Sequence, residues 1–137
     1  WGPGEEEDAA AVVRAAGGAA VMAPPTDLRL LAAVVRRATL VLSGDSGPLH
    51  LACAAGRPVV ALYGPTDPVV NAPWGAPHEV VHPGGRAYTG VKRLDRRSGF
   101  EGLTGEEVAA AVLRLLDRIE AGRPRRAVSP AGPGGEP

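Results

Sequence analysis

Thr39-Leu40-Val41-Leu42-Ser43-Gly44-Asp45-Ser46-Gly47-Pro48-Leu49-His50, continued by the apolar run to Ala55 and stopped by Gly56, decides the fold. Thr39 to Leu42 is β-prone and apolar without alternation, as a strand covered on both faces must be. Ser43, Gly44 and Asp45 break that run, and Leu49 to Ala55 reads as a buried helix. Strand, tight turn and helix begin a crossover unit. Pro58 then opens a second strand, Val59 to Tyr63, which ends at Gly64, Pro65, Thr66, Asp67 and Pro68. Val80 to His82 is a candidate for one more edge strand.

Upstream, Glu5, Glu6, Glu7 and Asp8 suit the positive end of an Ala-rich helix that Gly17 and Gly18 stop. Ala19 to Ala23 reads as a short strand containing a core Met22, and Thr26 as the cap of a helix with Leu28, Leu31, Val34 and Val35 on one face. Downstream, Gly84 to Gly102 has no clean period and reads as a surface connection. Thr104 and Glu107 form a capping box for a helix carrying Val108, Val112, Leu115, Leu116 and Ile119. The Arg-, Pro- and Gly-rich stretch 122–137 has almost nothing to bury and is expected to be disordered, leaving one domain over 1–121. Alternating strands and helices imply an α/β fold, a Rossmann-like three-layer parallel sheet joined by right-handed crossovers.

Composition narrows the function. Fifteen Lys and Arg balance fifteen Asp and Glu, so no positive field holds nucleic acid. The single cysteine, Cys53, excludes an internal disulfide and reads as a small core residue. His78 and His82 lack a third ligand at metal spacing. No run approaches the roughly 20 apolar residues of a membrane span, and Arg123, Arg125 and Arg126 allow at most a peripheral contact with lipid. A cytoplasmic protein is expected. The chain opens at Trp1 on a turn and an acidic run, which reads as a fragment lacking its preceding strand.

In a parallel sheet, ligands sit at the carboxyl ends of the strands. Ser46 is a good N-cap there, and Gly47 lets an anion approach the first-turn amides, so a phosphate fits. His50, one turn further on, is placed to donate to a second phosphate oxygen, and Asp45, aimed away from the helix, suits sugar hydroxyls better than a phosphate. The plainer reading of the same residues is a capped helix with a core histidine, and short motifs decide little alone. Gly44, Asp45, Ser46 and Gly47 also resemble the nucleophile segment of trypsin-like proteases. Crossover helices and the lack of a placed His–Asp pair argue against that. The loop Tyr63 to Pro68, stiffened by two prolines, adds one hydroxyl and one carboxylate. Trp74 is placed either to stack on a base or sugar or to pack on its own domain.

Together, Asp45 to His50, Gly56 to Tyr63 and Gly64 to Pro68 resemble glycosyltransferase family 9, the heptosyltransferases. The turn Gly2 to Glu5 and the helix from Thr26 to Ala38 also sit where that family has them. The resemblance implies the carboxyl-terminal, donor-binding half of a two-domain GT-B enzyme that uses a nucleotide-sugar, often ADP-heptose, on a lipopolysaccharide-type acceptor, a glycan or a lipid-linked one, without a required metal. It implies Asp45 at the donor sugar or ribose and Ser46, Gly47 and His50 around the diphosphate. Glu5, or Glu6 in a shifted alignment, would take the ribose hydroxyls, Thr26 would lie near the base, and Thr66 and Asp67 would form the rim facing an amino-terminal domain. The family's catalytic base and a phosphate-binding lysine belong upstream of Trp1, so this chain alone is expected to be inactive. Ser98 to Leu103 replaces a cysteine-containing segment of many members. The alternatives are a non-catalytic nucleotide-binding module and a nucleotide-sugar epimerase-like protein, which would carry a glutamate close behind the Asp-Ser-Gly turn where His50 and Leu51 stand.

Overall fold

The computed structural model describes residues 1–83 and 99–122. In chain order these form α1 (Glu6–Ala15), α2 (Leu28–Arg37), β1 (Val41–Gly44), α3 (Gly47–Ala54), β2 (Val59–Leu62), β3 (His78–Val81) and α4 (Gly105–Ala121). The three strands make one parallel sheet in the order β1-β2-β3.

Central β2 explains the layering. Val59, Val60 and Ala61 are fully buried, so both sides of this strand are covered. Successive side chains point to opposite faces. Val59, Ala61 and Tyr63 therefore meet Leu49, Ala52 and Cys53 of α3, with Val35 of α2 behind them. Val60 and Val81 meet Ala111 and Leu115 of α4 on the other face. Burying a side chain the size of Leu49 or Leu115 contributes about 1.5–3 kcal/mol. The register pairs Gly44 with Leu62, so the turns leaving β1 and β2 emerge side by side at one edge of the sheet. The α/β class, the parallel sheet and the amphipathic last helix agree with the sequence; Thr104 closes its capping box with Glu107 in both directions.

Several local expectations are corrected. The first strand is Val41–Gly44 rather than Thr39 to Leu42, because Val41 is where pairing with Val59 begins. The third runs over His78–Val81 rather than Val80 to His82, in register with all of β2. Ala19 to Ala23 forms no strand: Val21 is 92% exposed and Met22 only half-buried. Asp27, not Thr26, caps α2, its Oδ1 accepting from Leu30 N at 2.7 Å. A carboxylate one residue nearer the helix accepts from the third helical residue in the ordinary capping geometry. On α2 only Val35 is buried, and Leu28 and Val34 stay exposed. Ser46 occupies the N-cap position of α3 without capping it, because its hydroxyl turns back to the Gly44 carbonyl at 3.2 Å. Trp74 does not bury itself against its own domain and is 87% exposed.

The surface connection expected from Gly84 lies, as far as Ser98, outside the described residues, as do the tail from Arg123 onward and its basic cluster. No helix among the described residues is long and apolar enough to cross a membrane.

Candidate functional site

The turns after β1 and β2 flank an open cleft of about 930 Å³. Clefts that hold small molecules run from about 300 to 1,000 Å³. Gly44, Asp45, Ser46, Gly47 and Pro48 form its floor. Glu5 and Thr26 stand on one wall with Trp1 and Leu28. Gly64, Pro65, Thr66 and Phe100 make the opposite wall.

The floor is the start of α3, and most of its first-turn amides are already spoken for. Pro48 at the start of α3 has no N–H to place, and the amides of Leu49 and His50 turn back to the Ser46 carbonyl at 3.1 and 3.4 Å. Nothing lies within 4 Å of where a Gly47 side chain would begin, so a ligand can approach that backbone closely. The Ser46 and Ser43 hydroxyls lie 3.2 Å apart beside it. The charge of the lining is negative. Glu5, Asp27 and Asp45 line the cleft, and among the described residues no Lys or Arg does. Two of those acids are engaged locally, Asp27 as the α2 cap and Glu5 through an Oε2 that accepts from Gly2 N at 2.8 Å. Glu6 lies in the exposed first turn of α1 and does not line the cleft.

Asp45 sits where the sequence places it but is not aimed away from the helix. Its side chain is 13% exposed and turns back: Oδ1 lies 3.4 Å from His50 Nε2, and Oδ2 accepts from Asn71 Nδ2 at 3.0 Å. A nearly buried carboxylate needs a donor such as the Asn71 amide, since leaving it unpaired is costly. His50 consequently directs Nε2 at Asp45 and is absent from the cleft lining, as is Asp67. Asp67 instead builds its own loop, with Oδ1 accepting from Val69 N at 2.8 Å and its carbonyl from Asn71 N at 3.1 Å. Thr66 lines the cleft, while its Oγ1 is buried and finds no hydrogen-bond partner among the described residues.

Sequence reasoning missed Asn71 and Phe100. Each is the only residue of its kind in the chain, a signal of a sort, but neither lies at a recognisable spacing from the Asp45 turn. Tyr63, buried against the α3 face, donates its hydroxyl to the Asn71 carbonyl at 2.5 Å. Burial, then the negative charge of Asp45, then Cys53 push the Tyr63 hydroxyl up to about 12.

The model of the family described as "Glycosyltransferase family 9 (heptosyltransferase)" matches residues 1–98. The chain belongs to glycosyltransferase family 9. Among its relatives, the lipopolysaccharide core heptosyltransferase OpsX of Haemophilus influenzae is 43% identical over 56 residues, 41% of this chain and 16% of that protein. Lipopolysaccharide heptosyltransferase 2 of Escherichia coli is 28% identical over 96 residues, 70% of this chain and 26% of that protein. The crystal structure of the glycosyl transferase family 9 from Veillonella parvula superposes with a TM-score of 0.67 at 29% identity, covering 85% of this chain and 35% of that one. This family 9 chain thus spans about a quarter or less of the length of these curated relatives. The residues Asp45 to Pro68, which carried the resemblance, fall within the matched span, and Asp45 to Pro48 and Gly64 to Thr66 among them line the cleft.

Proposed function

We propose that this family 9 chain is the donor-binding half of a GT-B glycosyltransferase, taking a nucleotide-sugar, with ADP-heptose as the expected donor, for transfer to a lipopolysaccharide-type acceptor at the cytoplasmic face of a membrane. The supporting observation is the open floor at Gly47, beside Ser46 and between the Glu5–Thr26 wall and the Gly64–Thr66 wall. A diphosphate over that floor meets the positive end of α3. The nucleoside then runs toward Glu5 and Thr26, and the sugar toward Asp45 and Thr66.

In the reaction, an acceptor oxygen forms a bond to the anomeric carbon as the bond from that carbon to the diphosphate breaks. The acceptor proton goes to a base supplied by an amino-terminal domain, and no metal is required. Negative charge grows on the departing diphosphate, so donors at the start of α3 act more strongly on the transition state than on the bound donor. Losing one such donor raises the barrier by about 2–4 kcal/mol. Because the cleft lining holds acids and, among the described residues, no Lys or Arg, the α3 dipole and the Ser46 hydroxyl carry this role here, aided by the lysine that the family resemblance places upstream of Trp1.

Calorimetric titration of ADP, UDP and GDP into the chain tests the reading. One of the three, ADP first, is expected to give saturable heat. Absence of binding by all three would remove the donor site.

A further inference from the structure

Asn71 lies outside every role assigned above, yet hydrogen bonds hold both its backbone and its side chain in the loop after β2. Its backbone is held from two sides. The Asp67 carbonyl accepts from Asn71 N at 3.1 Å, and the Asn71 carbonyl accepts from the hydroxyl of Tyr63, a residue with no exposed surface. With the backbone pinned, the side chain has little freedom left, and its amide reaches Asp45 Oδ2, 26 residues away in sequence, at 3.0 Å. The other carboxylate oxygen faces His50 Nε2 at 3.4 Å. Asp45 is therefore held at Oδ2 by the loop after β2, while its Oδ1 faces the His50 ring on the helix after β1.

We propose that Asn71 is a positioning residue: its amide fixes the rotamer of Asp45 in the cleft floor, and through Asp45 the orientation of the His50 ring, so that the two strand-end loops bind the donor as one unit. This rests on the donor-binding reading for its consequence and on the geometry alone for its cause. A carboxylate has two equivalent oxygens and rotates unless a donor selects one of them. Asn71 makes that selection, which leaves Oδ1 for the imidazole and favours the ring tautomer with its proton on Nε2. A ligand then meets a floor already ordered, and freedom lost before binding is not lost again on binding.

The test has two readouts on the full chain. Nitrogen chemical shifts of the histidine rings, with His50 assigned by His50→Gln, report its tautomer. Calorimetry reports the affinity for whichever of ADP, UDP and GDP binds the unaltered chain most tightly. Asn71→Ala is expected to move the His50 ring shifts toward an even mixture of tautomers and to weaken the nucleotide by about tenfold, while Val69→Ala, an exposed change in the same loop, alters neither. Asn71→Asp, which keeps the shape and opposes two carboxylates, is expected to exceed Asn71→Ala in both, and serves alone if the alanine variant does not fold. His50 shifts like those of the unaltered chain in a folded Asn71 variant would overturn the proposal, as would equal weakening by Val69→Ala. If no nucleotide binds the unaltered chain, the donor reading fails, and the ring shifts still decide the positioning role.

Discussion

Gly64 and Gly99 meet backbone to backbone: a methyl group on Gly99 would lie 2.8 Å from the Gly64 carbonyl carbon and 2.6 Å from the nitrogen of Pro65. The contact joins the turn after β2 to the segment that enters α4, and it seats Phe100 against Gly64 in the cleft wall. Gly99 also adopts φ +97°, a region that side chains avoid.

Gly99→Ala is therefore expected to lose more stability than a positive φ alone explains. Gly102 has φ +88° with open space around it, and Gly102→Ala should cost about 1–2 kcal/mol. Gly99→Ala adds a backbone overlap that only movement of the Gly64–Pro65 turn can relieve, for a total of about 3 kcal/mol or more. Urea denaturation of the two variants compares them directly, and equal losses would show that the contact with Gly64 is slack.

Tyr63 links stability to alkaline pH. Its hydroxyl titrates at about 12 in the fold against 10.0 for the ordinary side chain, because burial disfavours the tyrosinate and Asp45 repels it. The fold holds the proton more tightly than the unfolded chain does, so this contribution is complete below pH 10 and is lost as the pH rises through 12. Tyr63→Phe, which deletes the hydrogen bond to Asn71, is expected to cost about 1 kcal/mol at neutral pH. That deficit should shrink between pH 10 and 12 as the unaltered protein weakens. Denaturation midpoints of both proteins across this range provide the check, and a constant gap would place the Tyr63 titration elsewhere.

Gly47→Leu separates binding from folding. The side chain would grow into open space at the start of α3, where leucine is a better helix former than glycine by nearly 1 kcal/mol. Melting temperature should hold or rise. Nucleoside diphosphate affinity should fall by at least about tenfold, because the new side chain occupies the approach to the positive end of α3. Unimpaired binding would move the anion away from that floor.

The sequence was informative about this chain wherever neighbours in sequence are also neighbours in space. The Thr104–Glu107 box, the face of α4 and the apolar run of β2 follow from local periodicity, and each is present. The Asp45–Pro48 turn was legible as a break between strand and helix, and it lines the cleft. Reading failed where two adjacent residues compete for one task. Thr26 and Asp27 are both competent caps, and the chain geometry entering α2 selects Asp27. Ser46 has the right chemistry for a cap, but the nearby Gly44 carbonyl takes its hydroxyl instead. Ala19 to Ala23 is apolar enough for a strand and has no strand partner among the described residues, so composition alone misleads.

Sequence by itself determined the types of all the elements from β1 onward, the parallel α/β layering and the family, because these depend on repeating apolar patterns and on one continuous motif from Asp45 to Pro68. Only the tertiary structure decided which groups hold Asp45, which acids line the cleft and which glycine must stay bare. Those outcomes depend on the register that sets Gly44 beside Leu62 and so brings Asn71 to Asp45 across 26 residues. A buried carboxylate takes its donors from whatever the sheet places next to it, and no local pattern in the chain encodes that adjacency.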